Sequence, residues 1–318
     1  MKKINVVLLK ILCCVVLFGC VSVYSIDSDV SNVGVMDSNA SVVMDNSSSV
    51  QSKLNELFGS DKDNVSLILK EGVYVENNIS IIVPKDKTLT IKGIGNVVIE
   101  RNGSEFVKNI RSEGNGVYSP SDVETNQYSI FVITNKGNLF IENIIFKNGA
   151  GSVVGSPGSS GAIDAMGGGN FTISNCAFEN NKGITGAIES MNSYLNITKC
   201  DFKNNQGYIT IIRTPWNEIE TFARGGAICN FYGHVDVHEC NFELNHADGY
   251  MPYESYLPGD RPTTFGDDIV NQVNSNGGFV NASNNFFYGG INHRTFAGDL
   301  GSDYLVYWPV ASEPFRWR

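Results

Sequence analysis

Apolar residues return along this chain in one irregular form, at positions i, i+2, i+5 and i+7. Leu139, Ile141, Ile144 and Phe146 set the form, and Phe171, Ile173, Cys176 and Phe178 repeat it. Leu195, Ile197, Cys200 and Phe202 follow, then Val235, Val237, Cys240 and Phe242, with a degraded copy at Val280, Ala282, Asn285 and Phe287. Strict strand alternation would give steps of two, and an α-helix steps of three and four. One extra residue in the middle therefore predicts two short strands joined by a corner, with inward pointing resuming on the second.

Repeating that unit predicts a coil of parallel strands. The 24 residues from Phe178 to Phe202 make one uninterrupted coil. The neighbouring intervals of 32, 40 and 45 residues read as the same coil carrying insertions of roughly 8, 16 and 21 residues on one side. A "GAI" element keeps the same phase. Ile163, Ile188 and Ile228 each follow Gly and Ala, and "GDDI" places Ile269 in the same slot. Glycine there allows a tight corner and alanine a narrow interior. Asn181, Asn205 and Asn245 occupy equivalent sites after the second strand, where asparagine tolerates the left-handed conformation and can stack its amide. The expected fold is all-β: a right-handed parallel β-helix, a pectate-lyase-like solenoid.

Upstream, Val50, Leu54, Leu57 and Phe58 fall at i, i+4, i+7 and i+8, which predicts a short amphipathic helix capped by Ser48 or Ser49. From Val65 onward, β-rich runs alternate with Gly/Asn turns. Lys2 and Lys3 precede an apolar run that ends near Ser25, the layout of an export signal over residues 1–25. The rival readings are a lipid on Cys20, from the lipobox-like "LFGC", and an uncleaved anchor. Residues 26–48 read as a flexible Ser/Asn/Asp/Val linker, 49–300 as the β-helix domain and 301–318 as a C-terminal tail. No second apolar run is long enough to cross a bilayer, so no membrane span is expected in the mature chain.

Charge narrows the partners. The chain carries −10, and removing Lys2, Lys3 and Lys10 with the signal takes that to −13. With no basic cluster, nucleic acid and anionic membrane surfaces are excluded as expected partners. Cys176, Cys200, Cys229 and Cys240 would remain after cleavage. They form no CxxC pair, so no zinc site is expected. Cys176, Cys200 and Cys240 share one slot, expected to fill an interior stack rather than to form a redox or metal ladder.

Candidate chemistry is sparse. Asp164 and Glu189 each follow "GAI" one coil apart, so they are expected outside as neighbours. At roughly 5 Å such a pair could serve a retaining glycosidase, or it could hold calcium. Cys229 and Val270 occupy the next slots and end the acidic series, so solvated acids are the expectation. Asp267-Asp268 resembles the paired aspartates of polygalacturonases, which share this fold, but the companion "NTD", "GHGxSxGS" and "RxK" motifs are absent and "YGHVDV" is a partial echo. Turn acids are expected there. His234, His238, His246 and His293 are scattered, and none adjoins Ser or Cys in a nucleophile motif. The first three could gather around one coil, with a solvated loop expected instead. Arg213 and Arg224, in or beside the second insertion, are the feature that leans toward a lyase base. No catalytic, cofactor-binding or metal-binding residue is assigned. Eight N-x-[ST] sequons begin at Asn39, Asn46, Asn64, Asn78, Asn102, Asn170, Asn196 and Asn281, acceptors for glycan in an exported chain.

"FENN", "FKNN" and "FELN" match F-x-x-N, and "GGAI" matches G-G-A-[ILV]. These repeats resemble those of chlamydial polymorphic outer-membrane proteins. Over roughly residues 60–290 the chain also resembles adhesin-like β-helix proteins of methanogenic archaea, through "LKEGVY…LTIKG" and the late "NASNNFFYG". One GGAI is complete, and Phe286-Phe287 stands where that family has a Trp pair. The resemblance implies cell-surface placement and an adhesive role. Tyr, Trp and Pro concentrate around Trp216 and from Tyr250 to Pro262, as contact with cell-surface glycans or proteins would require. The expected function is a non-catalytic adhesin or structural binding module. The alternative is a polysaccharide lyase or glycoside hydrolase on the same fold, which hosts both roles.

Overall fold

The structure, a computed structural model, describes residues 39–101, 128–151, 159–208, 210–213, 218–221, 225–247, 268–272, 279–288 and 296–298. The expected export signal over 1–25 and C-terminal tail over 301–318, with Cys20, Asn102, Trp216, Arg224, Asp267, His293 and the stretch 250–262, lie outside the described residues.

The chain winds as a right-handed parallel β-helix, the hand that parallel crossovers favour. Each coil has three main faces. The first face comprises Asn138–Glu142, Asn170–Ser174, Tyr194–Thr198, His234–His238 and Phe279–Ser283. The second comprises Ile145–Lys147, Ala177–Glu179, Asp201–Lys203, Asn241–Glu243 and Phe286–Tyr288. Near the start, Asn64–Val75 and Thr88–Glu100 run through both faces as long strands. The third face stacks Ile79–Val83, Phe131–Asn135, Ile163–Met166, Ile188–Met191, Ile228–Phe231, Ile269–Gln272 and Phe296–Gly298. A narrow side of two-residue strands, Lys182–Gly183, Gln206–Gly207 and His246–Ala247, precedes the third face.

The predicted register holds residue for residue. Phe178 pairs with Phe146 and Phe202, and Phe202 with Phe242. The rings of Phe178, Phe202 and Phe242 stack at centroid spacings of 4.8 Å with interplanar angles of 6°. Stacked pairs of this kind add about 0.5–1.5 kcal/mol each beyond the area they bury. The extra residue inside the repeat is the corner. Asn143, Asn175, Lys199, Glu239 and Asn284 take φ of 51–56° there, which turns the chain from first face to second. Cys176, Cys200 and Cys240 follow that corner, buried, with Ile144 and Asn285 in the same slot of the flanking coils. No disulfide joins these three thiols.

Three local expectations change. Asn181, Asn205 and Asn245 are not the left-handed residues; the positive φ belongs to Asn180, Asn204 and Leu244, one position earlier. The ladder asparagines instead hydrogen-bond along the stack. Asn181 Nδ2 donates to Asn205 Oδ1 at 3.0 Å, and Asn205 Nδ2 to Asn245 Oδ1 at 2.9 Å. Each amide also donates to the carbonyl of a second-face Phe (Phe146, Phe178 or Phe202), so the buried side chains satisfy buried backbone. The "GAI" glycines serve a close approach rather than a special φ. A Cβ at Gly186 would lie 1.7 Å from the Gly226 carbonyl oxygen, and one at Gly161 2.3 Å from that of Gly186.

The third change concerns the expected linker over 26–48. Asn39–Met44 is a strand paired in parallel with Asn64–Val75. Ala40, Val42 and Met44 point inward, an alternation short enough to be lost among the polar residues around it. The helix Val50–Phe58 forms as expected, with Ser49 as its N-cap accepting from Ser52 N at 3.2 Å. Glu76, 26 residues on, adds what local sequence could not show. Its carboxylate accepts from Val50 N at 2.7 Å and Gln51 N at 3.1 Å, meeting the helix dipole at its positive end.

All three insertions leave from the corner between the narrow side and the third face. The first ends at Ser159 and Ser160, the second holds an antiparallel hairpin of Thr210–Arg213 with Glu218–Thr221, and the third follows Ala247.

Candidate functional site

Asp164 and Glu189 are brought together as expected, paired in register on adjacent third-face strands. They alternate with the inward Ile163 and Ile188, so both point away from the coil interior. They are nevertheless not solvated: Asp164 is 2% exposed and Glu189 0%. The first insertion corner folds back over them. Ser159 N donates to Asp164 Oδ2 at 3.0 Å, and Ser159 Oγ donates to Glu189 Oε2 at 2.8 Å. Thr185 Oγ1 donates to the same Glu189 oxygen at 2.9 Å. A buried carboxylate needs such donors, and these two are thereby closed to a polymer substrate. The next position, Cys229, is also buried, beside Phe231, Met191 and Tyr232.

Asp268, expected as a turn acid, sits at a bend before the third-face strand and is buried, and its Oδ1 accepts from Asn245 Nδ2 at 3.0 Å. It thereby ends the asparagine ladder. Arg213 closes the first strand of the hairpin.

Within the thiol stack, the Cys176 thiol beside Cys200, with burial, pushes the Cys200 thiol far above its usual range and outweighs the lowering hydrogen bond from Cys240. Cys200 and burial do the same to Cys240. Both thiols stay protonated, unsuited to metal binding or nucleophilic attack. Among the described residues, no three His, Cys, Asp or Glu side chains are placed to hold a metal ion.

The histidines separate. His234 and His238 lie on one first-face strand, while His246 sits on the narrow side. No nucleophile adjoins them in sequence, yet the coil supplies one. His238 Nδ1 lies 2.8 Å from Ser283 Oγ one coil on, and His238 Nε2 lies 3.1 Å from Glu239 Oε1. The signal that could have found this line is the shared repeat slot of Ser174, Thr198, His238 and Ser283.

A concave surface lies on the second face. A shallow cavity of about 570 Å³ runs across the strands, and its outward columns flank the Phe ladder on either side. One column holds Ala177, Asp201, Asn241 and Phe286; the other holds Glu179, Lys203, Glu243 and Tyr288. Asn241 Nδ2 donates to Asp201 Oδ1 at 2.7 Å, and Lys203 Nζ pairs with Glu243 Oε2 at 2.9 Å. Phe286 and Tyr288, 43% and 45% exposed, present rings to solvent at one end. The lining carries three carboxylates and one ammonium, and Lys147 of the preceding coil pairs with Glu179 at 3.5 Å, which leaves a net negative charge centred on Asp201. Sequence reasoning missed it, although the positions either side of each ladder Phe could have located it.

Among the described residues, no helix is long and apolar enough to cross a membrane. No family model and no curated protein matches the chain. Among solved structures, the chain is similar to the pectin methylesterase from Aspergillus niger in penultimately deglycosylated form, at 14% identity and a TM-score of 0.32, covering 86% of this chain and 89% of that one.

Proposed function

We propose that this chain is a secreted or cell-surface β-helix that binds glycans without transforming them, with the second-face groove as its contact surface. The observation that carries the reading is the groove's chemistry. Asp201, Asn241 and Glu243 offer acceptors and an amide for sugar hydroxyls, and Phe286 and Tyr288 offer flat faces for stacking. The resemblance to adhesin-like β-helix proteins agrees with that role. Net negative charge in the groove disfavours polyuronates and suits neutral or amino-bearing polysaccharides. Retention on immobilised polysaccharides tests the reading. Neutral or amino-bearing polymers should retain the chain, and Phe286→Ala/Tyr288→Ala should weaken retention about tenfold, equivalent to ~1.4 kcal/mol. Equal retention of the parent and the double variant would defeat it.

A second reading, a hydrolase, is favoured by the Ser283–His238–Glu239 line, in which a hydroxyl, an imidazole and a carboxylate adjoin as an activated nucleophile requires. Release of acid or reducing ends from a polysaccharide panel, abolished by His238→Gln, would promote it over binding alone.

A further inference from the structure

Five of the seven described sequons lie on one face of the coil. Asn39, Asn64 and Asn170 fall in a single outward column of the first face. It runs from Asn39 to Asn64, Thr88, Asn138 and Asn170 through consecutive strand pairings. Asn196 and Asn281 share the adjacent column, on either side of Asp236. The other two, Asn46 and Asn78, sit in the turn after the first strand and at the corner before Ile79. None lies on the second-face part of a strand, where the groove is, or on a strand of the third face.

Residues two apart on a strand point the same way. A sequon starting at an outward position therefore presents both its amide and its hydroxyl outside the coil. That holds for Asn64 with Ser66, Asn170 with Thr172 and Asn196 with Thr198, and all three asparagines are exposed. On the third face an outward glycan would displace the cover that Ser159 and Thr185 lay over Glu189. On the second it would fill the groove.

We propose that the first face is a modification surface, with N-linked glycan on Asn64, Asn170 and Asn196, while the groove face stays bare for ligand. The proposal rests on the export read above. In the transfer, a bond forms between asparagine Nδ2 and the anomeric carbon of a lipid-phosphate-activated oligosaccharide. The anomeric C–O bond breaks, its electron pair leaves with the carrier phosphate, and Nδ2 gives up one proton to the transferase's base. Asn170 and Asn196 lie one strand and two residues apart, about 8 Å, which leaves room for a sugar on each. Asn39 and Asn64 face each other at about 4.8 Å, so a glycan on one excludes the other.

The test is peptide mapping by mass spectrometry on the full chain from its native cells, with interior and exterior fractions mapped separately. Saccharide mass is expected on Asn64, Asn170 and Asn196, and never on Asn39 and Asn64 of one molecule. Thr172→Ala should abolish the addition at Asn170, and Thr172→Ser should restore it. An exported chain with these asparagines bare, or an addition at Asn170 that survives Thr172→Ala, overturns this inference and leaves the binding reading standing. A modified chain retained inside sustains the modification and defeats secretion. A retained, bare chain defeats both.

Discussion

The third and second faces of this coil are built from the same alternation of inward and outward residues, yet their outer surfaces meet opposite fates. On the third face, Asp164 and Glu189 point outward and are buried, because the insertion corner at Ser159 returns over them, and Cys229 is buried beside Phe231 and Tyr232. On the second, Asp201, Lys203, Glu243 and Tyr288 point outward and stay open, lining a groove. In a solenoid, then, outward is a property of the strand and exposed is a property of what the corners carry. The acids that look catalytic by spacing became structural. The columns beside the Phe ladder, which look like plain strand exterior, line the open groove proposed as the contact surface.

Four experiments set that contrast against stability, and the largest effect belongs to the interior beneath both faces. Phe202→Ala should cost about 3–5 kcal/mol in denaturant unfolding, since the ring stacks between Phe178 and Phe242. Phe202→Asp should be worse, leaving a charge unpaired in the stack. A parent-like melt for Phe202→Ala would break the shared core on which the comparison stands.

The covered face comes next. Glu189→Gln and Asp164→Asn should each cost about 1–3 kcal/mol, because buried hydroxyl and amide donors lose a charged acceptor. Asp201→Asn on the open face should cost far less, so equal losses would erase the distinction between the two surfaces.

Alkaline pH probes the thiol stack. Cys200 and Cys240 are pushed above the ordinary thiol value of 9.0 in the folded chain. Their contribution is therefore complete below that value and is lost as pH rises beyond it, where the unfolded chain releases protons that the folded chain keeps. The slope should be about 1.4 kcal/mol per pH unit for each thiol. That thiol share should vanish in Cys200→Ala/Cys240→Ala, leaving the slope above pH 10.0 from Tyr74, whose hydroxyl is also pushed up by burial, as denaturant midpoints measured against pH would reveal.

The smallest change in stability is expected in the groove. Lys203→Ala breaks an exposed ion pair worth under about 1 kcal/mol. The same substitution makes the groove more negative and should strengthen retention on amino-bearing polysaccharide. A large loss of stability with retention unchanged would reverse the roles given to the two faces.

Much of this architecture was legible from spacing alone. The i, i+2, i+5, i+7 form places Leu195, Ile197, Cys200 and Phe202 inside because strand alternation and one corner leave no other phase. The "GAI" isoleucines, the Ser49 cap and the common corner of the insertions follow from similarly local rules. Strand phase specifies direction but not cover, so the burial of Asp164, Glu189 and Asp268 was out of reach. Their shielding comes from the turn residues 4 and 5 positions earlier or from a neighbouring coil. The same holds for Glu76 at the helix start, for Ser283 beside His238, 45 residues distant, and for the groove across four coils. Periodicity is a property of one strand, and each of these contacts exists only where coils lie side by side.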